Sequence, residues 1–392
     1  MYGIRLRIHE TPSKMNILLV IPSLSSYEGG IVSSTTNFAL ALARQRQKVT
    51  LICLEDRDSF IMADKLRESN IEVILIKIKV KYRSPMVLFP LINYFRKNLK
   101  KFDICYIHGL WSFPQLVAAY YGRKFKIPYI VTVHGMMTPW ALNNKRIKKK
   151  IYWTLFEKHN LYQATAIHAL TNTEKQYILK NVGNKKDVFV IPNGLWLEPS
   201  DCLKYFENKK NSTVLFLGRL HKVKGLDMLI PAFANLSNDY PEWKLVIAGP
   251  DEGGYEKTLV ELTKKCNIED KVHFVGKVQG KQKEELFISS DLFVLPSYSE
   301  ALSVAAIEAL RYSLPLLITK TCNFPEVVKS GAGIEVIPSH DAIQVGLEQL
   351  IRLSSGQRKE MGKRGYQLIK EKYSMEIIAR QLSNKFERIL RE

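Results

Sequence analysis

Two glutamates, Glu300 and Glu308, lie in the otherwise apolar segment LFVLPSYSEALSVAAIEALRYSLPLLIT, residues 292 to 319. Burial of a carboxylate is costly unless the group is paired or hydrogen-bonded, so each of them needs a partner or a ligand. Carboxylates are good acceptors for the hydroxyl groups of a sugar. The pair therefore indicates a site for a ligand that is rich in hydroxyl groups.

The same segment contains a predicted helix start. LFVLPS predicts a buried strand, and Ser303 predicts the N-cap of a helix from Val304 to about Tyr312. The backbone N–H groups of Ala301, Leu302 and Ser303 would point at a ligand above this helix start, where phosphate binds well. Both glutamates could reach that ligand, although their spacing does not place them on one helix face. Carboxylates and helix-start amides together suit a sugar nucleotide.

A second polar group follows another predicted strand, in FLGRLHKVKG at residues 216 to 225. The strand ends at Gly218, and Arg219 and Lys224 lie on either side of a tight connection that Gly225 closes. Two cations at the carboxyl end of a strand, near a helix start, predict a site for a diphosphate. Taken alone, the segment is more typical of arginine and lysine on a surface loop.

A glycine pair follows the first predicted strand, in IPSLSSYEGGIVSSTTNFALALA. Gly29 and Gly30 precede a helix through Asn37 to Arg44, so exposed N–H groups there could face a phosphate. An ordinary strand-to-helix turn explains the pair equally well. The sequence contains no G-x-G-x-x-G motif, which disfavours a nicotinamide-dependent dehydrogenase.

The elements that must position these residues are short apolar strands, which alternate with helical segments from Met15 onward. The first predicted series of strands comprises residues 16–23, 48–54, 71–78, 103–109, 129–135 and 166–171. After residues 188–196, a second series comprises residues 213–220, 243–250, 272–278, 292–297 and 314–319. The predicted fold class is α/β, with two tandem Rossmann-like, doubly wound parallel-sheet domains. Ligands of such sheets bind beyond the carboxyl ends of the strands, so a cleft between two facing domains is the expected site.

The chain divides into four predicted parts. These are a leader over 1–14, an N-terminal domain over 15–198, a second domain over 199–373 and a terminal helix over 374–392, with a hinge near 192–212. Ser374 is the predicted N-cap of the terminal helix, whose apolar residues repeat at helical spacing. This helix is therefore expected to pack against another element.

Composition limits the class of protein. The 392 residues are 46% hydrophobic and 24% charged, which is typical of a folded chain with more than one domain. The five cysteines are scattered without a C-x-x-C motif, which argues against a zinc site or a disulfide framework and favours the cytoplasm. The sequence has no apolar run of membrane-spanning length, and its basic first residues lack the apolar stretch of a signal peptide.

The net charge of +20 is unevenly distributed. One basic stretch runs from Lys79 to Lys101, and a second runs from Lys145 to Lys150 beside Tyr152 and Trp153. Cations next to aromatic rings suit an anionic lipid surface. Nucleic acid or a merely solvated helix face are the alternatives.

The order of these motifs resembles the family 4 retaining glycosyltransferases with the GT-B fold, of the type that assembles bacterial exopolysaccharide or lipopolysaccharide. The resemblance rests on G-R-x-x-x-x-K-G at 218–225, the PNG at 192–194 and P-S-x-x-E-x7-E-A at 296–309, with VIPS before the glycine pair, HGLW and TVHGMMTPWALNNKRIKKK in the first part. It covers residue 15 to about residue 388, and it implies that the terminal helix crosses back to the first domain.

The resemblance implies roles for the donor-site residues. Arg219 and Lys224, after Gly218, would hold the donor diphosphate and neutralise charge on the leaving group. Glu308 would bind the ribose hydroxyls, and Glu300 those of the donor sugar.

Further donor contacts are implied on both sides of the cleft. His134 would contact the donor sugar from the first domain, and His108 is similarly placed; for His134 a backbone contact at a strand end is the alternative. The Gly29–Gly30 loop would meet the phosphates or the acceptor, and Val278 would also contact the donor.

The first domain would receive the acceptor. Trp111 and Trp140 lie beside the two HG motifs and either stack on acceptor sugar rings or pack in the core. A lipid-linked glycan acceptor sits at the inner membrane surface, where Lys145, Arg146, Lys148, Lys149 and Lys150 would dock the protein peripherally.

The implied reaction is a metal-independent transfer of a hexose with retention of configuration. An acidic D-x-D, Asp56-Arg57-Asp58, follows a strand of the first domain, away from the predicted diphosphate site, where Arg219 and Lys224 already supply the charge of a metal. No cofactor is expected. The departing phosphate oxygen would take the proton of the acceptor hydroxyl during attack on the same face.

The sequence departs from the family pattern at Glu300-Ala301-Leu302-Ser303, where E-G-F-G is usual, so the shape of the sugar pocket differs. UDP-glucose is the favoured donor and GDP-mannose its rival. A GT-B sugar-nucleotide epimerase is the alternative enzyme. A nucleic-acid-binding protein leaves the two glutamates and the tandem sheets unexplained.

Overall fold

The computed structural model describes residues 14–25, 29–56, 58–77, 88–197 and 212–392. The predicted leader apart from Lys14, Arg57 of the D-x-D, the first part of the 79–101 basic stretch and most of the predicted hinge lie outside these ranges.

The first half of the chain forms a seven-stranded sheet in which every neighbouring pair is parallel. Its strands are β1 (Asn16–Val20), β2 (Lys48–Leu54), β3 (Glu72–Ile76), β4 (Ile104–His108), β5 (Tyr129–Thr132), β6 (Ala166–Ala169) and β7 (Val188–Val190). Their order across the sheet is β3-β2-β1-β4-β5-β6-β7. The central strands are buried along almost their whole length, as expected when helices cover both faces.

The helices of this half follow the strands in alternation. They are α1 (Gly30–Arg44), α2 (Ser59–Glu68), α3 (Leu88–Asn98), α4 (Phe113–Phe125), α5 (Pro139–Asn143), α6 (Arg146–Tyr152), α7 (Lys158–Gln163) and α8 (Asn172–Val182). A 3₁₀ turn at Leu99–Lys101 extends α3, and a π-helical turn at Trp153–Glu157 joins α6 to α7.

The second half forms a six-stranded parallel sheet in the order β10-β9-β8-β11-β12-β13. Its strands are β8 (Thr213–Leu217), β9 (Lys244–Ala248), β10 (Val272–Gly276), β11 (Leu292–Leu295), β12 (Leu316–Thr319) and β13 (Gly333–Val336). Its helices are α9 (Leu226–Leu236), α10 (Tyr255–Lys265), α11 (Gly280–Ser289), α12 (Val304–Arg311), α13 (Glu326–Lys329), α14 (His340–Arg352) and α15 (Ser355–Lys372), with 3₁₀ turns at Lys222–Lys224 and Lys320–Cys322.

These two sheets confirm the predicted fold class, and every predicted strand has its counterpart. The edge strand β7 was not predicted as a strand, and neither was the edge strand β13. The four residues of β13, GIEV, are all only partly buried, so the segment lacks the apolar run by which the other strands were recognised.

The final helix, α16 (Met375–Arg391), crosses back to the first sheet, as predicted. The ring of its Phe386 meets the ring of Tyr106 on β4 at 5.2 Å between centroids, edge to face. Lys385 Nζ lies 2.7 Å from Asp187 Oδ2 at the start of β7. Just before the helix, the N–H of Leu195 donates to the carbonyl of Tyr373 at 2.9 Å. The two segments that pass between the sheets therefore run side by side.

Candidate functional site

Lys224 and Glu300 form a largely buried ion pair at the carboxyl edge of the second sheet. Lys224 Nζ lies 2.5 Å from Glu300 Oε1, and the side chains are 14% and 12% exposed. The hydroxyl of Ser297 donates to the same carboxylate oxygen at 2.8 Å. The structure thus unites two residues that are 76 positions apart in sequence, each of which was predicted to bind a different part of one ligand.

The connection after β8 places Lys224 against the end of β11. The N–H of Tyr298 donates to the carbonyl of Val223 at 2.8 Å, which joins the two loops. Gly225 has φ 70°, and a Cβ there would lie 2.1 Å from the carbonyl oxygen of Pro296. Only glycine allows this approach, so its position in the motif has a steric cause.

Arg219 lies at the opening of the same edge and pairs with Glu252 at 2.7 Å. Both side chains are nearly half exposed, so the pair is weak and the guanidinium is accessible to an anion. Gly29 lies across the cleft, where a Cβ would be 3.7 Å from Arg219 Cδ. The predicted glycine loop and the predicted diphosphate-binding arginine therefore meet, although they belong to different sheets. A Cβ on Gly30 would meet only open space.

The loop between β11 and α12 offers a row of backbone donors. Among the described residues, none accepts a hydrogen bond from the N–H groups of Ala301, Leu302 or Ser303. Ser303 is the N-cap of α12 as predicted, and its hydroxyl accepts from the N–H of Ala306 at 3.4 Å. Consecutive unpaired amides at a helix start form a site for an anionic oxygen.

Glu308 lies one turn further along α12 and pairs with Lys283 of α11 at 2.6 Å. The two glutamates of the apolar segment thus have different partners. Val278 precedes α11 and is buried in the core below, at 8% exposure. Lys283 was not predicted, because nothing in its local sequence marks it as a partner of Glu308.

The first sheet contributes a pair of histidines at the ends of β4 and β5. His108 Nδ1 lies 3.0 Å from His134 Nε2, so one ring donates to the other. His108 is completely buried, and its Nε2 has no partner among the described residues. His134 is nearer the surface, and its Nδ1 makes no hydrogen bond within the described part of the chain. His134 thus faces the cleft and His108 lies behind it.

Burial keeps these rings neutral. It lowers the pKa of His134 to about 3, with a smaller effect of the neighbouring His168, and it lowers the pKa of His108 well below its ordinary value. His168 is a residue that was not predicted. Its Nε2–H donates to the carbonyl of Ile191 at 2.6 Å, so in the neutral ring Nδ1 accepts from the hydroxyl of Tyr106 at 2.5 Å. Burial lowers its pKa to about 4. A neutral His134 can exchange hydrogen bonds with a sugar hydroxyl as donor or acceptor.

Direct contacts close the cleft next to this site. A Cβ on Gly135 would lie 2.9 Å from the Cβ of Ala301. The ring of Trp140 stacks on Tyr298 with centroids 5.4 Å apart and planes 5° apart. One face of Trp140 is therefore covered by the second domain, whereas the sequence had suggested an acceptor sugar or the core.

Asn193, the asparagine of the PNG motif, links the two sheets at the back of the cleft. Its Oδ1 accepts from the hydroxyl of Ser34 on α1 at 2.6 Å, and its Nδ2 donates to the carbonyl of Leu302 at 3.3 Å. Asn193 is 4% exposed. Asn193 therefore ties the loop before α12 to α1 of the first half.

Trp111 packs in an aromatic group at the start of the basic segment. Its ring lies 6.1 Å from that of Tyr152 and 6.4 Å from that of Trp153 between centroids. Its Nε1 is buried and has no partner among the described residues. Its backbone N–H donates to Glu157 at 2.9 Å, a buried carboxylate whose pKa burial raises to about 7.

Helix α6 presents the predicted basic residues, with one exception. Lys145, Arg146, Lys148 and Lys150 are exposed, whereas Lys149 is partly buried and donates to the carbonyl of Ala141. The exposed face also carries apolar side chains that were not predicted to matter: Ile147 at 76%, Ile151 at 55%, Leu155 at 62% and Phe156 at 39% exposure. The spacing of Ile147, Ile151 and Leu155 puts them on one side of the helical segment.

The described residues of the predicted acidic D-x-D have local structural roles. Asp56 accepts from the hydroxyl of Ser23 and Asp58 precedes α2 as its N-cap. Within the described residues, no group of three or more histidine, cysteine, aspartate or glutamate side chains is arranged to hold a metal ion. Within the same ranges, no helix has both the length and the apolar run needed to cross a bilayer.

Comparison with known proteins identifies families that match both halves of the chain. The family model Glycosyltransferase Family 4 matches residues 28–198, and Glycosyl transferases group 1 matches residues 203–368. Similar proteins include one subunit of the phosphatidylinositol N-acetylglucosaminyltransferase from Homo sapiens, which is 23% identical over 364 residues, 91% of this chain and 71% of the relative. N-acetyl-alpha-D-glucosaminyl L-malate synthase of Bacillus anthracis is 25% identical over 309 residues, 76% of this chain and 77% of the relative.

The fold has solved counterparts. The Anabaena protein HepE, crystallised in complex with UDP and glucose, superposes with a TM-score of 0.76 at 18% identity, over 95% of this chain and 99% of that one. Its likeness extends over both sheets. With both halves matched by glycosyltransferase families and with the GT-B architecture, the chain belongs to the family 4, group 1 glycosyltransferases.

Proposed function

We propose that this glycosyltransferase moves a hexose from a nucleotide-sugar donor to a glycan or lipid-linked oligosaccharide, with retention of configuration and without a metal, in the synthesis of a cell-surface polysaccharide. The observation that carries the proposal is the buried Lys224–Glu300 pair beside the open amides of residues 301–303. A cation and free amides suit a diphosphate, and a carboxylate at 2.5 Å from that cation suits the adjoining sugar.

Donor binding would exchange the partners of the charged residues. Lys224 and Arg219 would each turn from a carboxylate to a phosphate oxygen, which leaves Glu300 to accept from hydroxyl groups of the hexose. Glu308 would accept from the ribose hydroxyls while Lys283 remains its ion-pair partner. Lys224 and Arg219 would stabilise the negative charge of the departing diphosphate, a role that a metal ion would otherwise fill.

The attack would take place on the face from which the diphosphate leaves. A departing phosphate oxygen would accept the proton of the acceptor hydroxyl while the new glycosidic bond forms. His134, held neutral by burial, would hydrogen-bond to the hexose from the opposite wall. This sequence of events is supported by the family and by the arrangement of charges.

We propose UDP-glucose as the donor, with GDP-mannose as its rival. HepE was solved with UDP and glucose, and two relatives are named for N-acetylglucosaminyl transfer, so UDP-linked sugars have the larger support. The side chains of Ala301 and Ser303, where the family has glycine, would set the shape of the hexose pocket.

Release of nucleotide from a panel of UDP-, GDP- and ADP-sugars, including UDP-N-acetylglucosamine, tests the proposal. We expect slow hydrolysis of one donor, unaffected by EDTA, and its loss in Glu308→Ala. Glu360→Ala, which removes an exposed carboxylate from the same half of the chain, is the matched control and should behave as wild type. Absence of release and of binding with every donor would refute the proposal, and conversion of a donor to its epimer would support a sugar-nucleotide epimerase instead.

We also propose that α6 and the π-helical turn after it dock on an anionic cytoplasmic membrane surface. The exposed Ile147, Ile151 and Leu155 would enter the interface, and Lys145, Arg146, Lys148 and Lys150 would meet the headgroups. Lys149 would contribute little, because its ammonium group is bound to the protein. A solvated face would not need three large apolar side chains in a row at more than half exposure.

Sedimentation with vesicles of phosphatidylglycerol and phosphatidylcholine tests the docking. We expect wild type to bind the anionic vesicles and the Ile147→Ser/Ile151→Ser variant to lose most of this binding. Val345→Ser, which removes a side chain of 53% exposure from α14 in the second domain, is the control. Equal binding of all three proteins, or none by wild type, would remove the membrane role without affecting the transferase.

A further inference from the structure

We infer that Glu174 is a positioning residue that holds the turn at His134 and Gly135 in the shape that contacts the donor sugar, an inference that rests on the proposed transferase function. Glu174 is 1% exposed and lies in the first turn of α8, behind the turn rather than in the cleft.

The two oxygens of this carboxylate have different backbone partners. Oε1 accepts from the N–H of Gly135, after β5, and Oε2 accepts from the N–H of Leu170, after β6, at 2.6 Å. The carboxylate therefore ties together two strand ends that are neighbours at the carboxyl edge of the first sheet. A carboxylate fits this task because it offers two acceptor oxygens and no donor.

The turn that it holds has an unusual backbone. His134 has φ 49° and Gly135 has φ 77°, so two successive residues are in the left-handed region. A histidine in that region costs about 1–3 kcal/mol, so the surrounding structure must hold it there. The N–H of Gly135 belongs to the peptide between these two residues. By accepting its hydrogen bond, Glu174 fixes the plane of that peptide.

The orientation of this peptide affects both walls of the cleft. The direction of the His134 side chain depends on this peptide, as does the close approach of Gly135 to Ala301. The ring of His134 is also bound to His108 at 3.0 Å, so the backbone and the side chain have separate supports.

The helix cap supplies a matched control. Thr171 is the N-cap of α8, and its Oγ1 accepts from the N–H of Glu174 at 3.1 Å. Thr171→Ala weakens the same helix start without removing the bond to Gly135, whereas Glu174→Gln keeps the size of the side chain and loses one acceptor. A difference between the two variants therefore reports on the turn and not on the stability of α8.

The decisive experiment is a double-mutant cycle with Glu174→Gln, His134→Ala and both together, with Thr171→Ala alongside. We expect Glu174→Gln to lower kcat by tenfold to a hundredfold and to weaken binding of the intact donor, while the Kd for UDP, or for GDP if that is the donor base, changes less than twofold. We expect the double variant to be no slower than His134→Ala alone, within threefold. Thr171→Ala should remain within twofold of wild type.

Full addition of the two losses, or equal loss of nucleotide binding, would overturn the inference, as would a Glu174→Gln variant that transfers sugar at the wild-type rate. Amide hydrogen exchange provides a readout that is independent of activity. We expect exchange at Gly135 to be at least tenfold faster in Glu174→Gln and unchanged in Thr171→Ala. If wild type accepts no donor, the proposed function fails, and unchanged exchange at Gly135 would by itself refute the positioning role.

Discussion

Gly135 is a position where one added methyl group should oppose closure of the cleft while the chain still folds. A Cβ there would lie 2.9 Å from the Cβ of Ala301, across the boundary between the two sheets, and 3.5 Å from its backbone nitrogen. Carbon atoms prefer a separation of about 3.5–4.0 Å, so the walls of the cleft would have to move apart by about half an ångström or more. Gly135→Ala therefore opposes closure.

The magnitude has two parts. An alanine at φ 77° costs about 1–2 kcal/mol of backbone strain, which destabilises the folded state. The steric overlap costs about 1–3 kcal/mol more. The domains can relieve the overlap by opening, so its cost falls on the closed state. We expect the rate of transfer to fall by about tenfold to a hundredfold, since each 1.4 kcal/mol corresponds to a factor of ten.

Gly183→Ala isolates the strain. Gly183 has φ 90° and ψ 154°, a region at least as unfavourable for alanine, and a Cβ there would have no neighbour within 4 Å. Initial rates at saturating donor and thermal midpoints should be measured for both variants. We expect similar losses of Tm, with transfer reduced only in Gly135→Ala.

The double variant Gly135→Ala/Ala301→Gly tests the cause. Removal of the second methyl group relieves the overlap but not the strain, so transfer should return to within about threefold of Ala301→Gly alone. If Gly135→Ala is as active as Gly183→Ala, the contact between Gly135 and Ala301 is not made in the working state. Closure of the cleft would then not depend on this contact.

Two further predictions concern buried charge. Lys224→Ala leaves the carboxylate of Glu300 without its cation at 12% exposure. We therefore expect a loss of about 3–5 kcal/mol in the free energy of unfolding and a fall of about 10²–10³-fold in the transfer rate. In Lys224→Ala/Glu300→Gln, denaturant unfolding should show recovered stability while transfer stays low, and recovery of both would contradict the role of Lys224. Burial lowers the pKa of His168 from 6.5 to about 4, so between these pH values the unfolded chain binds a proton at this residue that the native protein does not bind. The contribution of His168 to the free energy of unfolding should therefore fall by about 3 kcal/mol as the pH falls from 6.5 to 4, in addition to the losses from His108 and His134, whose pKa values burial also lowers. His168→Gln should show a pH dependence shallower by one proton, and parallel curves for the two proteins would refute a neutral His168.

The fold could be predicted because the central strands are buried and mostly apolar runs. β4 and β11 are buried from end to end, and such runs alternate with helical segments through both halves. The same signal failed at β13, an edge strand with half-buried residues. The return of α16 to the first sheet was predicted from the family and not from periodicity, and the order of the strands in each sheet was not predicted.

The candidate site could be predicted where the residues that form it are close together in the sequence. The N-cap at Ser303 and the tight turn that Gly225 closes follow from a few adjacent residues. The partners Lys283 and Glu252 could not be predicted, because each lies 25 to 33 positions from the residue that it pairs with. Glu174 had the same disadvantage, since its sequence position indicates only an acidic residue in a first helical turn.

The return of α16 to the first sheet has a consequence for biosynthesis. Phe386 completes the packing around Tyr106, so a surface of the first sheet stays uncovered until about 280 further residues have been synthesised. At a translation rate of about 5–20 residues per second, this interval lasts some tens of seconds. The sheet must remain soluble for that time with apolar side chains exposed, although its strands can already pair. Maturation of the first domain is thereby delayed until the second has emerged, and chaperones would be needed most in this interval.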